Sequence, residues 1–219
     1  MPVPVPPAPA PARTGLRVGR SHSTRPPAGL GPEVIAVDVG SAQLRLWLGP
    51  GGVLSVPVND GLRTPVVQRG RVVDGPACVT QLRRLISDRR ARLPVGALAV
   101  ACRPVLAGRA DQETLRQVLT AVLAPSRLLF VDSVRASAIG AGASAGTLLL
   151  ADLGAQLSEV ALLADGRLLA ARRAEVGTRD LHRTVTTEML AESVVRLVRD
   201  LRQEPALRPR SPPPWVAVW

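Results

Sequence analysis

Residues 34–48 read VIAVDVGSAQLRLWL, and residues 148–163 read LLLADLGAQLSEVALL. Each is an apolar run that meets an Asp, an apolar residue, a Gly, a few small or polar residues, and then a second strand-like run. An apolar run closed by turn residues reads as a buried strand, and the alternation after the turn reads as its hairpin partner. The two stretches form an internal repeat, with Asp38 and Asp152 in equivalent places. Such a duplicated unit has a physical logic. Two hairpins facing each other across a cleft bring their turn N–H groups to a phosphate chain. The two carboxylates then hold a hydrated Mg²⁺ between them, because Mg²⁺ keeps most of its waters.

Outward from the repeat the pattern is α/β. VLSVPV (53–58) predicts a third strand. From Asp74 to Arg92 the pattern is helical, with Val79, Leu82, Leu85 and Ile86 on one face and Arg83, Arg84 and Arg90 elsewhere. ALAVAC (97–102) is a strand. A helix begins at Asp111 with Leu115, Val118, Leu119 and Val122 inward, RLLFVD (127–132) is a strand, and residues 134–142 form a short helix of small residues. After the second copy of the repeat, an Asp-Gly turn at 165–166 leads to a strand over 167–176. A long helix is expected from Thr178 to Arg202. Residues 1–32, rich in Pro, Ala and Arg, read as a disordered tail. The first unit runs over 33–143, the second over 144–205, and 206–219 is a Pro-rich tail whose WVAVW adds a short strand.

The 219 residues are 46% hydrophobic and 21% charged, enough to bury a core. No apolar run approaches the roughly 18 residues of a spanning helix. The start, MPVPVPPAPAPA, lacks the basic and leucine-rich regions of a secretory signal, so a cytoplasmic location is expected. With only Cys78 and Cys102, a disulfide framework and a metal-ligand cluster are excluded, and both read as small buried hydrophobes. His22 and His182 read as solvated. All 28 basic residues are Arg, a bias that reads as genomic GC content before function. The net charge of +11 favours anionic partners. However, the arginines are scattered and the aromatics that stack on bases are nearly missing, so nucleic-acid binding is not expected.

Four segments in order resemble the actin-like ATPase superfamily, and within it the MreB-type rod-shape-determining bacterial actins, over roughly Glu33 to Pro205. VIAVDVGSAQLRLWL resembles the first phosphate motif, Asp-Leu-Gly-Thr-Ala-Asn-Thr. RTPVVQRGRVVDGPACVTQLRRLI (63–86) resembles the segment Arg-Pro-Leu-Lys-Asp-Gly-Val-Ile-Ala-Asp and its helix. FVDSVRASAIGAG (130–142) resembles the connecting segment, and residues 148–181 resemble the second phosphate motif, its hairpin and the strand beyond. The resemblance implies an actin-like, RNase H-like duplicated α/β fold with two subdomains similar to IA and IIA. It further implies ATP-Mg²⁺ as cofactor. The positions that match the two phosphate motifs are Asp38, Gly40, Ser41, Ala42 and Gln43, with Asp152, Gly154, Ala155 and Gln156. The resemblance implies that Asp38 and Asp152 hold the Mg²⁺ through water.

The departures decide the expected function. Where the family carries its catalytic Glu, this chain has Ser133, with Asp132 one residue earlier, so no catalytic residue is assigned. Ser cannot act as that carboxylate base. The second motif, Asp-Ile-Gly-Gly-Gly-Thr-Thr-Glu in the family, here reads Asp152 to Glu159 with Ala155, Gln156 and Leu157 inserted for two glycines and a threonine. A Cβ and a long side chain there impede close approach of phosphate. Subdomains IB and IIB have no counterpart of their length, and the adenosine motif that follows WVAVW in the family is not in the sequence. The expectation is a divergent, truncated MreB-like cytoskeletal or cell-shape protein, a non-catalytic or weakly nucleotide-binding scaffold. It acts on other actin-like proteins or on cell-wall synthesis machinery, and meets the membrane through them. The competing reading is an ATPase that completes its site with a partner chain.

Overall fold

The computed structural model describes residues 33–49, 52–58, 64–143, 145–181, 185–203 and 216–218. The proposed disordered tail at 1–32, His182, and most of the Pro-rich 206–219 lie outside them. The chain opens with three antiparallel strands, β1 (Val34–Val39), β2 (Gln43–Trp47) and β3 (Val53–Pro57). A small hairpin follows, β4 (Val67–Gln68) and β5 (Arg71–Val72). Helix α1 (Gly75–Asp88) leads to β6 (Leu98–Arg103), and α2 (Arg109–Leu123) leads to β7 (Arg127–Asp132). These build one mixed sheet in the order β3-β2-β1-β6-β7, with β1, β6 and β7 parallel.

Helix α3 (Ser133–Gly140) passes to the second sheet, formed by β8 (Thr147–Leu153), β9 (Ser158–Ala164) and β10 (Arg167–Ala174). After α4 (Thr187–Arg202), β11 (Val216–Val218) pairs in parallel with β8, so WVAVW supplies the expected fourth strand in the order β10-β9-β8-β11. Among the described residues no helix is long and apolar enough to cross a membrane.

Strand alternation sorts the side chains. In β1, Ile35, Val37 and Val39 are buried beneath α1 and α2, packed with Cys78, Leu82, Leu115, Val118 and Leu119. Asp38 therefore points to the opposite face. In the second sheet, Leu149, Ala151, Val160 and Leu162 pack under Leu197 and Leu201 of α4. Their neighbours Leu148, Leu150, Ala161 and Leu163 pack with Val134 and Ala138 of α3. That second face carries the register pairs Leu148 with Leu163, Leu150 with Ala161, and then Asp152 with Glu159. Two apolar cross-strand pairs thus end in an acidic pair at one end of the sheet.

The structure corrects two expectations. The helix expected over 178–202 is broken. Thr178–Asp180 form a 3₁₀ turn, closed by Gly177 N–H donating to Asp180 Oδ2 at 2.8 Å. Helix α4 starts only at Thr187, where the Thr186 hydroxyl caps Met189 N–H at 3.3 Å. Capping residues at both places stop the helical pattern from running through. The expected helix over Asp74–Arg92 also ends early, at Asp88, with Arg90 in a left-handed conformation. Its start agrees, since Asp74 caps Ala77 N–H at 2.9 Å.

Gly177 sits directly on the β8–β9 turn. A Cβ placed there lies 2.5 Å from Ala155 C and Gln156 N, backbone atoms that cannot swing aside. Gly177→Ala is therefore expected to cost about 1–3 kcal/mol, the range of overpacked sites. Urea denaturation measures this, and an unchanged midpoint contradicts the packing.

Candidate functional site

The two halves of the repeat close their turns alike. In the β1–β2 turn, Gly40 N–H donates to Gln43 O at 3.0 Å; in the β8–β9 turn, Gly154 N–H donates to Leu157 O at 2.9 Å. A Cβ at Gly154 meets Leu157 O at 2.9 Å, so a glycine fits that closure. The bonds that close each turn leave out the amides of Ser41, Ala42, Ala155 and Gln156. Both turns face one open cleft of about 460 Å³. All nine positions marked from the sequence line it: Asp38, Gly40, Ser41, Ala42, Gln43, Asp152, Gly154, Ala155 and Gln156.

Residues the sequence reading passed over join them. The tip of the β4–β5 hairpin, Arg69 and Gly70, has both φ angles positive, at 50° and 72°. Paired positive φ is the two-residue type I′ hairpin geometry, and "VQRGRV" carries that signal only weakly, across strands of two residues each. Gly70 N–H donates to Ser41 Oγ at 2.9 Å. Arg69 crosses to the other turn: its N–H donates to Gln156 Oε1 at 3.1 Å, and its Nη1 donates to Gln156 O at 2.9 Å and Asp180 Oδ2 at 2.7 Å. From the second half, Arg179 Nη1 donates back to Ser41 O at 3.2 Å. The long side chain of Gln156, expected to obstruct phosphate, lines the cleft and accepts the Arg69 N–H.

Register sets the charges. Asp38 stands opposite Arg45 across β1 and β2, and their side chains meet at 3.0 Å. Burial raises the Asp38 pKa and Arg45 opposes that rise. The pair is half exposed, 52% for Arg45 and 42% for Asp38, so it is screened and readily exchanged. In the second copy the place of Arg45 is taken by Glu159, which stands opposite Asp152. Burial, and then the charge of Asp38, push Asp152 up to about 6. Glu159 is 4% exposed. Burial pushes it up to about 7, and Asp152 adds to the rise; the Ser133 hydroxyl, the Val105 amide and Arg173 oppose it.

A hydrated divalent cation fits this arrangement. Asp38 and Asp152 face one cleft, each raised by burial, and a cation between them relieves their repulsion. Arg45 must then release Asp38. Among the described residues no cluster of three or more His, Cys, Asp or Glu forms a direct metal cage. Outer-sphere contact through water is what the two carboxylates offer.

Ser133 begins α3 on the cleft wall, and its hydroxyl donates to Glu159 Oε2. Asp132 points away, to Arg103 Nε at 3.1 Å. Cys78 is fully buried, as expected. Cys102 is not a core residue but lines the cleft, where burial, Asp38 and Asp152 push its thiol up to about 11.

The raised acid pKa of Glu159 has a definite sign. Between its ordinary 4.5 and about 7 the folded state holds a proton that the unfolded state has lost. Its contribution to stability is therefore full below about 4.5 and lost as pH rises through about 7. Glu159→Gln is expected to flatten this slope and to raise stability at pH 8 by an amount on the order of 2–3 kcal/mol. Chemical denaturation across pH 5–8 checks it; parallel curves for the two proteins contradict the buried charge.

No protein-family model matches the chain, and no curated protein matches it in sequence. Solved structures do match. MreB5 of Spiroplasma citri bound to AMPPNP aligns with a TM-score of 0.59 at 17% identity, over 67% of this chain and 53% of that one. The same protein bound to ADP aligns with a TM-score of 0.58 at 16% identity, over the same shares of each. The chain thus spans about half the length of the structures it matches. Over two thirds of its own length it has part of the actin-like MreB fold, in a divergent sequence.

Proposed function

We propose that this chain is a divergent MreB-like protein of the cytoskeletal, cell-shape class. It acts as a scaffold through protein partners and holds ATP-Mg²⁺ weakly in the cleft. One observation carries the reading. The two turns that face the cleft are already joined by protein groups, Arg69 to Gln156 and Asp180, and Arg179 to Ser41. A ligand shifts a conformation only by its differential affinity for two states. With the bridge built from side chains, nucleotide has less left to change. On this reading the first sheet corresponds to subdomain IA and the second to IIA.

Ser133 in place of a carboxylate argues for slow hydrolysis, since losing the group that activates the nucleophile costs about 10²–10⁴-fold. The AMPPNP and ADP bound by the similar MreB5 support the cleft as the nucleotide site. Its partners are other actin-like proteins or the cell-wall synthesis machinery.

Thermal unfolding with and without ATP-Mg²⁺ tests the binding. Saturation about 100-fold above the dissociation constant adds about 2.7 kcal/mol. Weak binding predicts a smaller shift at millimolar ATP-Mg²⁺, lost in Asp152→Asn, with phosphate release at background. Absence of any shift removes nucleotide from the function. Sustained phosphate release that appears on adding a full-length actin homologue replaces the scaffold by the ATPase completed by a partner chain.

A further inference from the structure

Glu159 is a carboxylate that its surroundings do not satisfy. It is 4% exposed, and among the described residues its Oε1 has no hydrogen-bond partner. A purely structural buried carboxylate has both oxygens bonded, because an unmet polar atom in a low-dielectric site is costly. Across β8 it faces Asp152, a like charge. Across β10 it faces Arg173, whose guanidinium instead reaches Glu175 at 3.8 Å. Among the described residues the side chain that bonds it is Ser133, through Oε2, and the Val105 amide also lowers its charge cost. The hydroxyl and the carboxylate both line the cleft that Asp38 and Asp152 enter.

This is the arrangement of an activated nucleophile: a hydroxyl donating to a buried acceptor, on the wall of a cavity with two further carboxylates suited to a divalent cation. We propose that Ser133 accepts the γ-phosphoryl group of a nucleoside triphosphate held in the cleft, with Glu159 taking the hydroxyl proton. The inference rests on the nucleotide reading of the cleft given above.

The step balances within the cleft. The Ser133 Oγ–Pγ bond forms, the bond from Pγ to the β,γ-bridging oxygen breaks, and its electron pair leaves on the nucleoside diphosphate. The proton passes to Glu159 Oε2 and from there to solvent. Arg103 also lines the cleft, with its guanidinium bonded to Asp132 and Gln112. Because Ser133 belongs to the chain, the reaction stops after one turnover, in keeping with a scaffold that does not release phosphate continuously. The groups that face Glu159 are Asp152 on β8, Ser133 on α3, Arg173 on β10 and the Val105 amide.

The test incubates the full chain with ATP-Mg²⁺ labelled at either the α or the γ phosphorus. Label from the α position retained on the native protein reports binding; acid-stable label from the γ position, mapped by peptide mass to one residue, reports transfer. The expected result is γ label on Ser133, up to one per chain. Ser133→Ala abolishes it, Ser133→Thr retains part of it, and Glu159→Gln slows it by about 10²–10⁴-fold. Binding without transfer, or transfer to another residue, overturns this inference and leaves the nucleotide reading standing. Absence of binding overturns both. Equal transfer rates in Glu159→Gln and the parent chain overturn the role of Glu159.

Discussion

Arg69 holds a conformation that a side chain adopts only under compulsion. Its φ is 50°, in the left-handed region, at a cost on the order of 1–2 kcal/mol. The type I′ turn sets that conformation, and it is held by bonds across the molecule, to both the side chain and the carbonyl of Gln156 and to Asp180. Arg69 and Asp180 are 30% and 15% exposed, so the pair is sheltered enough to count. Its neighbour Gly70 lies where a Cβ would meet Pro104 of the first half at 2.5 Å and Leu157 of the second at 3.3 Å. The hairpin tip is thus wedged between the two copies of the repeat. That tip lines the same cleft as Asp38 and Asp152.

Strand periodicity does the remaining work. Because successive side chains alternate, Ile35, Val37 and Val39 go to the helices and Asp38 goes to the cleft. The same rule in β8 and β9 sends Leu150 and Ala161 under α3 and leaves Asp152 beside Glu159 at the open end. The copies then diverge at one equivalent place. Arg45 offsets the charge of Asp38, whereas Asp152 faces a second acid, Glu159, which is relieved by Ser133, the Val105 amide and Arg173. A repeated backbone thus carries two opposite electrostatic settings.

Much of this was legible in the sequence. The strands were readable because long apolar runs closed by Asp-Gly or Gly-rich turns leave little freedom, and RLLFVD and SEVALLA match their strands residue for residue. All nine turn positions follow from the repeat and the family resemblance. What was not legible is non-local. The β4–β5 hairpin has two-residue strands, too short for a period to show. The break before α4 depends on Asp180 folding back to Gly177 and on the Thr186 cap, while the apolar spacing alone continues smoothly. The roles of Arg69, Arg179 and Glu159 depend on partners 87 to 138 residues away, or on a register that a single strand does not reveal.

The central claim is that side chains, not a ligand, join the two turns. A double-mutant cycle on Arg69→Ala and Asp180→Ala, read by denaturant unfolding without nucleotide, tests it most directly. The 2.7 Å bond from Arg69 to Asp180 predicts a coupling of about 1 kcal/mol between the two sites. Additive effects, within about 0.3 kcal/mol, would show that the bridge carries no energy and would contradict the account.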